Sequence, residues 1–180
     1  RSREQVYGME KKLTDAPIRH RNLSDMRRVL NGLIYQKGGW TLHMLRKQIG
    51  TETFWRGIRE YYAKYRDSSA TTEDFRRVME EASGQDLGWF FTQWLTRSAS
   101  PAVEGSWRYD AAAKSLLVEA AQTQTGDAYR LPFEIAVTAA DGTSNIHALE
   151  FRNKRERFTN PLDREPAAVA GVERAAQRFQ

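Results

Sequence analysis

The spacing of apolar residues changes abruptly near residue 100, and this change limits the chain to a helical part followed by a β part. Before Ser98, apolar residues recur three or four positions apart, the spacing that places them on one face of a helix. After Pro101 they alternate with polar residues, as expected for strands with one buried face, and the clearest run is Leu131, Phe133, Ile135 and Val137. We therefore predict a multi-domain α-then-β chain, with a helical domain over 1–100 and a small antiparallel β-sandwich over 101–180.

Capping and stop signals set the boundaries of the predicted helices. A helix over 40–49 is followed by a second that we expect Thr51 to cap. Thr71 or Thr72 begins a third, which has acidic residues in its first turn, where the positive end of the helix dipole favours them. Gly84 ends the third helix, because glycine readily adopts the left-handed conformation found after a helix. A fourth amphipathic helix follows directly.

Turn and breaker residues divide the β part. Asp141 and Gly142 form a hairpin signal between the strand at 131–137 and a returning strand over 146–151. Pro132 lies inside the first of these strands and has no backbone N–H to donate. We therefore expect that strand to lie at a sheet edge or to begin at Pro132.

The amino-terminal residues predict little structure of their own. They contain neither an initiator Met nor the apolar run of a signal peptide, so we expect the chain to be an internal piece of a longer protein. Ser24, followed by an acid, can cap a short helix running to Leu33.

Composition excludes several classes of site. The chain has no cysteine, which rules out disulfides, thiolate metal sites and cysteine nucleophiles and leaves the compartment open between cytoplasm and periplasm. Its 28 basic and 23 acidic residues give a net charge of +5, but the charges are interleaved, so we expect no nucleic-acid binding. No stretch approaches the roughly 18 apolar residues of a membrane span, and we expect a soluble protein with no membrane partner.

The residues alone show no complete active site. The three histidines, His20, His43 and His147, are too far apart in sequence to form a zinc pair one helical turn apart. Serine-hydrolase elbows, phosphate-binding loops and dinucleotide-binding turns are also missing from the sequence.

A series of motifs in fixed order over residues 30–101 resembles the aminopeptidase N family of zinc metallopeptidases, a gluzincin family. In chain order the motifs are Tyr35 to Gly38, Ile49-Gly50 with Phe54, Ala70 to Phe75, Ser83 to Leu87, and Phe90 to Trp94 before Pro101. The resemblance implies that the helical part is the C-terminal half of a thermolysin-like catalytic domain. It implies that the β part begins the domain that follows.

The resemblance also implies a role for one residue. In this family a zinc-bound water attacks the peptide carbonyl, and a tyrosine hydroxyl donates a hydrogen bond to the oxyanion that forms. Tyr35 occupies the position of that tyrosine, and Gln36 stands where the family usually has Glu. The zinc ligands would lie ahead of Arg1, so the implied partners are a peptide substrate and the N-terminal part of the same protein. The chain alone would bind no zinc and would be inactive.

The glycine pair Gly38-Gly39 is expected to serve this tyrosine. We predict that it lies in front of a helix, allows a tight turn and close backbone approach, and lets Tyr35 project from a rigid helix start. The structural alternative is a buried aromatic residue beside a packing glycine pair. The functional alternative is a non-catalytic binding or scaffold module that keeps the peptidase-like helical fold.

Overall fold

In the computed structural model, residues 17–19, 24, 32–98 and 100–172 are described. They belong to two compact units, one within Arg1–Ala99 and one within Ser100–Gln180. The described part of the first unit is helical: α1 Gly32–Ile49, α2 Thr51–Tyr65, α3 Thr72–Ser83 and α4 Gly88–Thr96. The predicted helix from Ser24 to Leu33 falls mostly outside the described residues, and the assignment of each unit to a domain stays a prediction.

Capping interactions fix the helix ends, with one difference from expectation. Thr71 and Asp74 form a reciprocal capping box at the start of α3, and Gly84 ends α3 in the left-handed conformation with φ 66°. The start of this helix at Thr71 or Thr72 and its stop at Gly84 were predicted. The predicted cap at Thr51 is wrong: Thr51 is already helical, and the residue before it is Gly50, with φ 88° and no side chain to donate or accept a hydrogen bond.

One apolar cluster joins the four helices of the first unit. Its buried members are Leu45, Ile49, Phe54, Met79, Leu87, Phe90 and Phe91. Helices α2 and α3 pack closely at Gly57, where an added Cβ would lie 2.7 Å from the Sδ of Met79. Two large aromatic residues of α2, Trp55 and Tyr62, are exposed.

The described part of the second unit contains two three-stranded antiparallel sheets. The strands are β1 Val103–Asp110, β2 Ser115–Gln122, β3 Leu131–Thr138, β4 Ser144–Phe151, β5 Arg155–Pro161 and β6 Ala168–Val172. The first sheet has the order β1-β2-β5 and the second the order β4-β3-β6. Gly142, with φ 86°, lies in the predicted turn between β3 and β4.

Strand β3 shows how a proline enters a central strand. The predicted alternation is confirmed, because Leu131, Phe133, Ile135 and Val137 are all buried. The expectation of an edge position is wrong, since β3 lies between β4 and β6. The other expectation, that the strand begins at Pro132, is off by one residue: β3 begins at Leu131, and Pro132 pairs with Glu150 of β4. Pairing with β6 starts only at Glu134, beyond the proline.

None of the helices in the described residues combines the length and the apolar character that crossing a bilayer requires.

Candidate active site around Tyr35

Tyr35 lies on α1 with its side chain largely in solvent. It is the fourth residue of the helix as described, and its side chain is 74% exposed. The structural alternative, a tyrosine buried beside a packing glycine pair, is therefore not what these residues form. The described residues enclose little of the phenol, which leaves its hydroxyl accessible to a ligand.

The glycine pair lies inside α1 and not in front of it, which corrects the prediction. Helix α1 runs through Gly38 and Gly39, and a Cβ at either position would meet no atom within 4 Å. Neither a tight turn nor a close backbone approach occurs there. Each glycine costs a helix about 1 kcal/mol, whereas burial of a large apolar side chain contributes about 1.5–3 kcal/mol. The buried residues Leu45 and Ile49 at the other end of α1 can therefore offset the pair.

The opposite side of α1 is packed and polar. Lys37 is only 9% exposed, and its Nζ donates hydrogen bonds to the carbonyl oxygens of Ser98 at 3.1 Å and Arg97 at 3.4 Å. The Oγ1 of Thr41, also buried, donates to the carbonyl oxygen of Lys37 at 2.8 Å. These contacts hold the Tyr35 end of α1 beside the chain that leaves α4.

Two other polar residues of α1 are partly buried. Gln36 is half-buried. His43 accepts a hydrogen bond at Nδ1 from Nη2 of Arg46 at 3.1 Å. Its ring is nearly perpendicular to that of Trp40, and the two ring centroids are 5.6 Å apart. Partial burial lowers the pKa of His43, with smaller contributions from the charges of Arg46 and Lys47. These contacts are those of a residue that packs within α1.

The implied zinc ion finds no ligand set here. Within 17–19, 24, 32–98 and 100–172, no group of three or more His, Cys, Asp or Glu residues could hold a metal ion. The described residues therefore do not fit zinc, and the chemistry assigned to them is confined to the phenol of Tyr35.

Comparison with known families decides the affiliation of the helical unit. Residues 2–94 match the model of the Peptidase family M1 domain, which is more than half of the chain. The chain belongs to peptidase family M1. The resemblance to the aminopeptidase N family is thereby confirmed, and M1 aminopeptidases are zinc metallopeptidases.

Individual relatives in family M1 agree with this affiliation. Aminopeptidase N of Lactococcus lactis subsp. lactis is 33% identical over 73 residues, which are 41% of this chain and 9% of that protein. Aminopeptidase N of Escherichia coli strain K12 is 33% identical over 87 residues, 48% of this chain and 10% of that protein. Aminopeptidase N of Haemophilus influenzae is 29% identical over 137 residues, 72% of this chain and 16% of that protein. The chain thus spans 9% to 16% of the length of these curated relatives.

A solved structure shows the same fold. The crystal structure of Legionella pneumophila aminopeptidase A in complex with aspartic acid matches with a TM-score of 0.69 and 17% identity. The match covers 92% of this chain and 21% of that chain. Four helices followed by two small antiparallel sheets therefore match part of an aminopeptidase.

Most motif residues of family M1 have structural roles in this chain. In the Ser83 to Leu87 motif, Gly84 ends α3, the Oδ1 of Asp86 accepts from the N–H of Gly88 at 2.9 Å, and Leu87 is fully buried. The Oε1 of Glu80 accepts from the N–H of Leu87 at 2.9 Å and ties this link back to α3. Leu87 is buried within the first unit, whereas Tyr35 is 74% exposed.

Sequence reasoning missed Lys37. A lysine next to a glycine pair looks like an ordinary solvated residue, and its acceptors lie about 60 positions further along the chain. Only its place inside the Tyr35 to Gly38 motif could have drawn attention to it.

Proposed function

We propose that this chain is a segment of a zinc-dependent aminopeptidase that removes N-terminal residues from peptides, and that Tyr35 donates a hydrogen bond to the oxyanion. The observation that carries the proposal is the exposure of Tyr35, 74%, on an anchored helix at the position of the family's tyrosine. Membership in family M1 supports the reaction class.

A phenol suits this task. It is a neutral donor of moderate reach, so it can approach a peptide carbonyl without the strong hydration that a cation carries. A donor aimed at charge that appears only in the transition state lowers the barrier without tightening substrate binding equally. Loss of one such donor typically lowers turnover about 100- to 1000-fold.

The metal ligands and the general base would come from another part of the parent protein. This proposal is supported by the small share of each relative that the chain spans, 9% to 16%. In it, residues 1–100 are the helical C-terminal half of a thermolysin-like catalytic domain, and the chain alone is inactive. The partners are a peptide substrate and the N-terminal part of the same protein.

Residues 101–180 would form a β-sandwich behind that domain. Aromatic contacts support this arrangement: the ring of Phe158 on β5 meets the ring of Phe133 on β3 at a centroid distance of 5.6 Å. The Phe151 ring on β4 lies 6.4 Å from the same Phe158 ring. Rings from the two sheets thus meet in a shared apolar layer, as in packed sheets.

The experiment compares the full-length protein with the 180-residue chain on an aminoacyl-anilide substrate. We expect the full-length protein to cleave it, to stop when a chelator removes zinc, and to leave the N-acetylated substrate intact because an aminopeptidase needs the free amine. The chain alone should show neither turnover nor tightly bound zinc. Cleavage of the acetylated substrate at a similar rate, or zinc-dependent turnover by the chain alone, would contradict the proposal.

A further inference from the structure

Lys37 is a charged residue inside the protein with defined partners. Its ammonium group is withdrawn from water and donates to two backbone carbonyls, those of Arg97 and Ser98. A lysine is almost never buried unless such partners compensate for its lost hydration. The position of Lys37 is therefore determined by the carbonyls that it meets.

These carbonyls are well suited to hold a cation. Helix α4 ends at Thr96, and Arg97 already has the extended conformation, with φ −89° and ψ 140°. The carbonyls beyond the last turn lie at the negative end of the helix dipole, where a positive charge is favourable. Lys37 thus joins α1 to the C-terminal end of α4.

The glycine pair makes this link important for Tyr35. Beyond Gly38 and Gly39, α1 is held by the buried residues Leu45 and Ile49, which belong to the core of the first unit. The pair weakens the helix between that core and Tyr35, because glycine leaves the backbone more freedom than any other residue. Lys37 lies on the Tyr35 side of the pair and supplies a long-range contact there.

We propose that Lys37 is a positioning residue for Tyr35. Successive residues are about 100° apart around a helix, so two residues separate Tyr35 and Lys37 by about 200°. One side chain faces solvent while the other is anchored at the end of α4. The ammonium fixes the axial position and rotation of this part of α1, and thereby the direction of the phenol. This inference rests on the proposed role of Tyr35 as the oxyanion donor.

The test uses the full-length protein and measures kcat and KM for an aminoacyl-anilide. Lys37→Met keeps the length of the side chain and removes its donors, and we expect kcat to fall about 10- to 100-fold, the loss typical of a misplaced group, with KM little changed. Lys37→Arg keeps a charged donor and should recover most of the loss. Lys47→Met, at an exposed lysine of the same helix, is the matched control and should leave kcat unchanged.

A double-mutant cycle separates positioning from a general structural role. Without the phenol there is nothing to misplace, so Lys37→Met should change kcat by less than about twofold in the Tyr35→Phe background. The change in the free energy of unfolding should be the same in both backgrounds. An equal fold-loss of kcat in both backgrounds, or no loss in either, would overturn the inference. Full turnover by Tyr35→Phe alone would instead refute the proposed function, and with it the positioning role.

Discussion

Tyr35 and Lys37 lie two residues apart on α1 and in opposite surroundings. The Tyr35 side chain is 74% exposed, whereas the Lys37 side chain is buried, with its Nζ 3.1 Å from the carbonyl oxygen of Ser98. One short stretch of helix therefore carries an accessible hydrogen-bond donor on one side and its own anchor on the other. This division is the structural basis of the function that we propose.

The glycine pair makes a first prediction about stability. Gly39→Ala should raise the free energy of unfolding of the 180-residue chain by about 0.5–1 kcal/mol, because alanine favours the helix and its Cβ would meet no atom within 4 Å. Gly57→Ala is the matched helical control. Its Cβ would lie 2.7 Å from the Sδ of the buried Met79. Overpacking of about 1–3 kcal/mol then exceeds a helix gain of about 1 kcal/mol, so stability should fall.

Urea denaturation of the two variants and the wild type measures both effects. Opposite signs are the expected result. A decrease in stability for Gly39→Ala would mean that the space beside the glycine pair is filled in this chain.

The capping box at α3 predicts an acid-dependent loss of stability. The side chain and the backbone N–H of Thr71 donate to Oδ2 of Asp74, at 2.7 Å and 2.9 Å, and lower the pKa of that carboxyl from 3.8 to about 2. Because the folded pKa lies below the unfolded value, this stabilisation is fully present above pH 3.8 and is lost as the pH falls through 2. The difference in unfolding free energy between wild type and Asp74→Ala should therefore shrink over that window.

Thr71→Ala checks the cause of this shift. It removes the side-chain hydrogen bonds to Asp74, so the pKa of Asp74, measured by carboxyl NMR, should rise toward 3.8. The lost N-cap should also lower stability by about 1 kcal/mol at neutral pH. An unchanged Asp74 pKa in this variant would show that another group causes the shift.

A buried glutamine predicts a large loss of stability in the second unit when it is replaced. The Nε2 of Gln122 donates to the carbonyl oxygen of Tyr129 at 2.7 Å, and its Oε1 accepts from the N–H of Tyr129 at 2.8 Å. Gln122→Leu takes this side chain away from both the N–H and the carbonyl oxygen of Tyr129 inside the protein. The free energy of unfolding should therefore fall by about 2–4 kcal/mol. Thr125→Ala, at an exposed site in the same connection, should change it by less than about 0.5 kcal/mol. Similar stabilities of the two variants in urea would contradict this account of Gln122.

Local signals in the sequence predicted much of the fold. The helix start at Thr71 or Thr72, the stop at Gly84 and the turn at Gly142 each depend on a few neighbouring residues, and all three were found. The alternation in β3 likewise reports burial directly, because a strand has a period of two.

Features that depend on distant partners were not predictable in the same way. The glycine pair reads locally as a helix break, yet α1 continues through it because Leu45 and Ile49 are buried further along. Lys37 reads as a surface lysine, and its acceptors come from the far end of the first unit. Tyr35 could be selected only through the order of the family motifs, since no local pattern distinguishes it from other tyrosines near glycine.

The most direct test of the central claim is the turnover number of Tyr35→Phe in the full-length protein, measured together with bound zinc and the free energy of unfolding. The exposed phenol makes few contacts that folding could need, so zinc content and stability should match the wild type. We predict that kcat falls about 100- to 1000-fold, the loss expected when one oxyanion donor is removed. A kcat within about threefold of the wild type, at equal zinc content, would contradict the account, because a donor to the oxyanion cannot be removed at so small a loss.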